Sequence, residues 1–333
     1  MTAAPALIAL LALLAPPTVA RAASAAPSDA AVGVAIAESA GAGVPRSALR
    51  QLTRSSPHDY APAWSPDGGR ILFFSWREGV RDLWIVPSAG GEPRRLDSGP
   101  GIDQFASWSP DGASIAYTTQ VPVTNNQEIL VLPIGGAPRA LVADASEDYH
   151  PSWSPDGRWI AFTSDRLGSP DIWMIGAAGA DSARLLIGGP AVEGYASWSP
   201  EGDRVLFQSS RSGTMSVWMA PFRDGACGEA VTLVAGEGTF GQPRWAPSGD
   251  RVAFVRMEGT RRRLLVLDVA SDGPAEPRPV PLPDSLPVFY PDWSPDGRSI
   301  AFSAYAEGAS KIWIVSDPEG FAPYQVRDAP RRK

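Results

Sequence analysis

Six times along this chain a tryptophan opens the same five-residue turn, and no other feature limits the possible folds as tightly. The copies are Trp64-Ser-Pro-Asp-Gly68, Trp108-Ser-Pro-Asp-Gly112, Trp153-Ser-Pro-Asp-Gly157, Trp198-Ser-Pro-Glu-Gly202, Trp245-Ala-Pro-Ser-Gly249 and Trp293-Ser-Pro-Asp-Gly297. Successive tryptophans lie 44, 45, 45, 47 and 48 residues apart. A period in the forties with strand-like content predicts propeller blades. Proline presets φ at the second turn position, Asp or Ser caps the turn, and Gly takes the positive φ that other residues resist. The turn is therefore a type I turn with a bulge, joining the first and second strands of each unit. Its aspartates read as structural.

The match continues past the turn. Seven residues after each Trp stands Ile71, Ile115, Ile160, Val205, Val252 or Ile300, and nine after stands Phe73, Tyr117, Phe162, Phe207, Phe254 or Phe302. The residue between is Ala or Leu, so both faces of this strand are apolar and both must be covered. A third strand follows at Leu83–Val86, Ile129–Leu132, Ile172–Ile175, Val217–Ala220, Leu264–Leu267 and Ile312–Val315. A short outer strand completes the unit at Arg94–Leu96, Arg139–Leu141 and Arg184–Leu186. The expected fold is all-β, a six-bladed β-propeller of four-stranded antiparallel blades. Arg50-Gln-Leu52 copies the outer-strand pattern ahead of the first Trp, so it is expected to complete the last blade; Tyr324-Gln-Val326 is the competing segment.

The repeat Trp-Ser-Pro-Asp-Gly-x-x-Ile-Ala-Phe with a following Asp-Ile-Trp, clearest over Trp153–Ile175, resembles the TolB-type repeat of the WD40-like PD40 family. The resemblance covers roughly residues 47–328. It implies a propeller and, in that family, contact with the envelope lipoprotein Pal. TolB carries an α/β domain before its propeller, which the Ala/Gly/Ser-rich stretch of residues 23–46 is not expected to form. The repeat is also similar to propellers of prolyl oligopeptidase relatives, but no Gly-x-Ser-x-Gly elbow occurs and a hydrolase domain is not expected.

Residues 1–22 read as a signal peptide: Ala6–Leu14 is apolar, Pro16-Pro17 breaks the run, and Ala20-Arg21-Ala22 fits a cleavage site, with Ala25 as the alternative end. The run is too short to span a bilayer. Residues 23–46 are an Ala/Gly/Ser-rich spacer and 47–333 the propeller. The expected location is periplasmic or secreted, with no membrane insertion of the mature chain. A net charge of −7 argues against nucleic acid as partner. The lone Cys227 excludes an internal disulfide, and two histidines cannot build a Cys/His metal cluster.

A site is expected where the loops leading into the inner strands open on the channel. These loops hold the aromatics Tyr60, Phe105, Tyr149, Tyr195, Phe240 and Tyr290, and the acids Asp59, Asp103, Glu147, Asp148, Glu193 and Glu237. His58 and His150 lie in them too. The expectation is an acidic, aromatic-rimmed mouth made of His58, Asp59, Tyr60, Asp103, Glu147, Asp148, His150, Glu193 and Glu237, suited to a basic peptide or a cation. The function it implies is a monomeric, non-catalytic binding module for an envelope or extracellular protein or peptide, without cofactor. The alternative is a propeller enzyme acting on a sugar or lactone at the same mouth. The Arg261-Arg262-Arg263 run in the divergent fifth unit reads as a solvated hairpin tip.

Overall fold

A computed structural model describes residues 48–317, apart from 55–57, 97, 271–272 and 275, together with Phe321. The signal-peptide, spacer and Tyr324–Val326 readings lie outside the described residues. Every element in the described residues is a strand, and the strands form six antiparallel sheets. In the first blade the strands Asp59–Trp64, Arg70–Ser75, Asp82–Pro87 and Arg94–Arg95 pair in sequence order. The second and third blades repeat this order. The fourth and fifth add a two-residue pairing at the tip of the third strand, Ala226–Cys227 and Gly273–Pro274, before their outer strands.

The sixth blade holds three strands from the end of the chain and one from its beginning. Ala48–Gln51 pairs antiparallel with Ala309–Ser316, placing Ala48 opposite Ser316 and Gln51 opposite Trp313. The Leu52 amide extends the pairing onto the Ile312 carbonyl at 2.8 Å. The amino-terminal segment, as expected from its pattern, supplies this edge.

Two-faced strands explain why the sheets stack around an axis. Ile71 and Phe73 pack with Ala301, Ile312 and Ile314 of the sixth blade, while Leu72 and Phe74 pack with Ile115 and Tyr117 of the second. The same alternation gives one apolar cluster between each pair of neighbours. The six bulky rings nine residues after Trp are all 0–1% exposed, which makes them the densest part of these interfaces.

The repeated turn is built as its residues require. The Gly68 amide closes onto the Ser65 carbonyl at 2.9 Å, and Gly68 has φ of 70°. Asp67 Oδ1 accepts from the Ser65 hydroxyl and the Gly69 amide. Asp111, Asp156 and Asp296 do the same in their turns. These local bonds hold their carboxyls below the usual range. In the fourth and fifth turns Asp203 and Asp250 take the serine hydroxyl instead. Each turn glycine also lies against the proline of the preceding turn: a Cβ there would be 3.1–3.8 Å from that ring, including Gly68 against Pro295 across the closure. Glycine is needed at these positions for φ, and at Gly202 for space as well.

Candidate functional site: a divided central channel

Each inner strand breaks register three residues before its Trp. The residues there are Ala61, Phe105, His150, Tyr195, Gln242 and Tyr290, and all six have φ between 44° and 57°. The ladder shifts at the same place in every blade. A bulge with a left-handed residue re-aims its side chain. Here it brings Ala61, Phe105, His150, Tyr195 and Tyr290 to the axis, where rings of non-adjacent blades meet. Phe105 of the second blade and Tyr290 of the sixth are 5.6 Å apart between centroids, and Tyr195 of the fourth and Tyr290 are 6.4 Å apart. His150 closes the circuit at 4.1 Å from Phe105 and 3.9 Å from Tyr195. The small Ala61 leaves room for the first contact. Gln242 is drawn aside, its Oε1 accepting from the Tyr290 amide at 2.7 Å. The four rings form a diaphragm across the bore.

On the loop side of the diaphragm the mouth differs from the sequence expectation. Asp59, Asp103 and Asp148 are fully buried and Glu193 is 1% exposed. Three of them pair with an arginine at a constant offset: Asp59 with Arg77 at 2.9 Å, Asp148 with Arg166 at 2.9 Å and Glu193 with Arg211 at 2.8 Å. Asp103 accepts from the Thr119 hydroxyl at 2.5 Å, and burial pushes its carboxyl up to about 6. Glu147 is half-buried and accepts from Gln127; only Glu237 is exposed. The acidic rim is thus corrected. Its acids begin the inner strand, where the side chain turns into the blade and a free carboxylate would be too costly to bury.

What remains at the mouth is aromatic and cationic. Tyr60 stacks on Phe74 at 5.6 Å and donates its hydroxyl to that of Tyr305 at 2.8 Å. Trp76 sits edge-on to Tyr60 and His58, and Phe289 joins Tyr305 to Tyr290. Arg81 lies over Trp76 at 5.5 Å, and Arg262 lies over Phe289 at 4.4 Å. The expected hairpin tip is solvated only in alternate residues: Arg261 and Arg263 pair with exposed Asp284, while Arg262 turns to the mouth. Sequence reasoning missed Trp76, Arg81 and Arg262. The period of two in the strand Arg261–Ala270 was the signal for Arg262.

On the turn side of the diaphragm lies a chamber of about 250 Å³. Its wall at the residue before each Trp is Ala63, Ser107, Ser152, Ser197, Arg244 and Asp292. Arg244 Nε and Asp292 Oδ1 are 3.8 Å apart. Burial pushes the Asp292 carboxyl up to about 6, against the pull of Arg244 and the Trp64 amide. His150 forms part of the roof, not the mouth where the sequence placed it. Burial and Arg244 push its imidazole down to about 3, so it is neutral.

The two histidines are not brought together: His58 Nδ1 accepts from the Ser310 amide at 3.3 Å, on the loop side. Among the described residues no three His, Cys, Asp or Glu side chains form a metal-binding group. The Cys227 thiol is half-buried, and burial pushes it up to about 12, away from thiolate chemistry.

Repeat, closure and divided bore define the class: a six-bladed β-propeller with a channel blocked midway. No protein-family model matches the chain. A stretch of 68 residues is 35% identical to the Tol-Pal system protein TolB of Alcanivorax borkumensis, covering 20% of this chain and 16% of that protein. A stretch of 61 residues is 44% identical to the uncharacterized peptidase YuxL of Bacillus subtilis, covering 18% of this chain and 9% of that protein. The matched stretches therefore span under a fifth of these relatives. The structure of a putative TolB from Agrobacterium tumefaciens superposes with a TM-score of 0.63 at 26% identity, over 83% of this chain and all of that one. The chain is a TolB-like β-propeller. Oligogalacturonate lyase in complex with manganese shares the fold alone, with 15% identity and a TM-score of 0.55.

Proposed function

We propose that this chain is an exported, non-catalytic binding propeller of the periplasm or cell exterior, and that it holds an envelope or extracellular protein through the loop-side mouth. One observation carries the reading: a continuous set of rings from the sixth and first blades, part-exposed at His58, Trp76, Phe289 and Tyr305 and edged by Arg81 and Arg262. Aromatic and arginine side chains are the groups that anchor protein interfaces. The resemblance to TolB proteins, whose name places them in a Tol-Pal system, points to the same class of partner. The structure changes the chemistry expected of that partner. With Asp59, Asp148 and Glu193 spent on internal arginines and Asp103 buried, the mouth suits a segment carrying apolar and acidic side chains rather than a basic one.

The test is affinity capture from an envelope fraction with immobilised protein. Wild type is compared with Trp76→Ala/Phe289→Ala, two half-buried rings of which Trp76 borders the cluster between the first and second blades, so the melting temperature is measured alongside. Capture of a defined partner by wild type should fall about tenfold or more, as for loss of central interface anchors. Equal capture by a variant with unchanged melting temperature sinks the proposal.

A further inference from the structure

The turn-side chamber has features that the mouth reading leaves unused. It holds one cationic and one anionic side chain, both lining the chamber: Arg244 is 38% and Asp292 24% exposed at the side chain. Their closest atoms stand at 3.8 Å, longer than a charge-assisted hydrogen bond. Asp292 spends Oδ2 on the Trp64 amide at 2.7 Å, leaving Oδ1 towards the cavity. Overhead, both ring nitrogens of His150 are buried without a hydrogen-bond partner among the described residues. As a neutral imidazole it offers one donor and one acceptor. Buried polar groups left in this state call for a partner.

From these groups we infer that the chamber is a binding site for a free α-amino acid. The charges decide the class. A solute of one sign would satisfy Arg244 or Asp292 and set the other charge against it in an enclosed site. A neutral polyol can hydrogen-bond to both side chains but brings no charge to either. An α-amino acid carries carboxylate and ammonium on one carbon, so its carboxylate meets Arg244 while its ammonium meets Asp292. The serine hydroxyls of Ser107 and Ser152 and the His150 nitrogens line the remaining polar wall, and the rings of Phe105 and Tyr290 offer a surface to the side chain. A chamber of about 250 Å³ is on the scale of one small solute. The diaphragm closes the loop side, so the molecule enters from the turn end, near Pro66.

The experiment titrates the whole chain with each common L-amino acid by calorimetry and thermal shift. Alongside run the matching α-hydroxy acids, which lack the ammonium, and the matching amines, which lack the carboxylate. At least one amino acid should bind saturably and raise the melting temperature. Its single-charge analogues should bind at least about tenfold more weakly, the loss for one charge-assisted contact. Arg244→Met should abolish binding. Ser152→Leu fills the chamber while leaving both charges, so it should abolish binding even if Arg244→Met fails to fold. Trp76→Ala/Phe289→Ala should bind as wild type does, which separates this site from the mouth. The inference is overturned by no saturable binding up to roughly 10 mM, by equal affinity for a single-charge analogue, or by undiminished binding in Ser152→Leu.

Discussion

Replacing Arg166 by Met should cost this protein about 3–5 kcal/mol, the range for stranding a buried charge. Asp148 is fully buried, and Arg166 Nη2 approaches its Oδ1 at 2.9 Å. Burial already holds the Asp148 carboxyl above its ordinary range despite this partner and Ser164. Arg166 also reaches Asp144 at 3.3 Å, but that carboxylate is 43% exposed and its pair is worth at most about 1 kcal/mol. The guanidinium lies 4.6 Å from the Trp173 centroid, a contact worth about 0.5–2 kcal/mol that Met replaces in part. The stranded Asp148 therefore dominates. Asp148→Asn/Arg166→Met removes both charges and should recover about 1–3 kcal/mol of the loss. The pH dependence follows. Without its arginine, the Asp148 carboxyl rises further, so the native state keeps a proton that the unfolded chain releases above about pH 4. Arg166→Met should thus be less destabilised at pH 5 than at pH 8. Urea unfolding of wild type, both single variants and the double variant at the two pH values measures all of this. An Arg166→Met cost below about 1 kcal/mol at both pH values would refute the argument that the acids are internal staples.

Two other outcomes follow from the same structure. Asp103, facing Thr119, Arg81 and Asp82, has its carboxyl raised to about 6, so its native form loses stability as pH rises from about 4 to about 6. Asp103→Asn keeps the Thr119 bond and should remove up to about 3 kcal/mol of that decline, read as the wild-type-minus-variant stability at pH 4 against pH 7; a difference that does not change with pH contradicts it. Gly202→Ala places a Cβ 3.1 Å from Pro155 at a φ of 72°, and should cost about 1–3 kcal/mol in thermal unfolding. Gly69→Ala, whose Cβ meets only the Asp67 side chain at 3.4 Å, should cost much less, and equal costs would remove the φ argument.

The blades were legible because the turn and the strand after it both state their needs in residue type. Proline, aspartate and glycine each have one backbone conformation to supply, and an apolar run with bulky residues at period two must be covered on both faces. The closing strand was legible for the same reason. The mouth was less so. Loop acids read as solvated because nothing local shows that Asp59, Asp148 and Glu193 begin a strand pointing into the blade. Their partners were visible, though: Arg77, Arg166 and Arg211 recur at one offset from the tryptophan, and a recurring opposite charge is the mark of a structural pair. The diaphragm had no such signal. Ala, Phe, His, Tyr, Gln and Tyr share no property that announces a left-handed backbone; the bulge is imposed by pairing on both sides of it. His150 was thus assigned to the rim when it stands inside the bore.

Sealing the ring with residues 48–51 ties the order of folding to the order of synthesis. Ala48 must find Ser316, so a strand made among the first waits until the sixth blade has been delivered. Until then the edge at Ala309–Ser316 is unpaired and open to a neighbouring chain. So distant a pairing bears a heavy loop-closure cost before it stabilises anything, which makes it a slow, late step. Five blades can form as the chain arrives, but only the docking of residues 48–51 turns an open arc into a circle, and a population arrested before that event would link arc to arc rather than remain single.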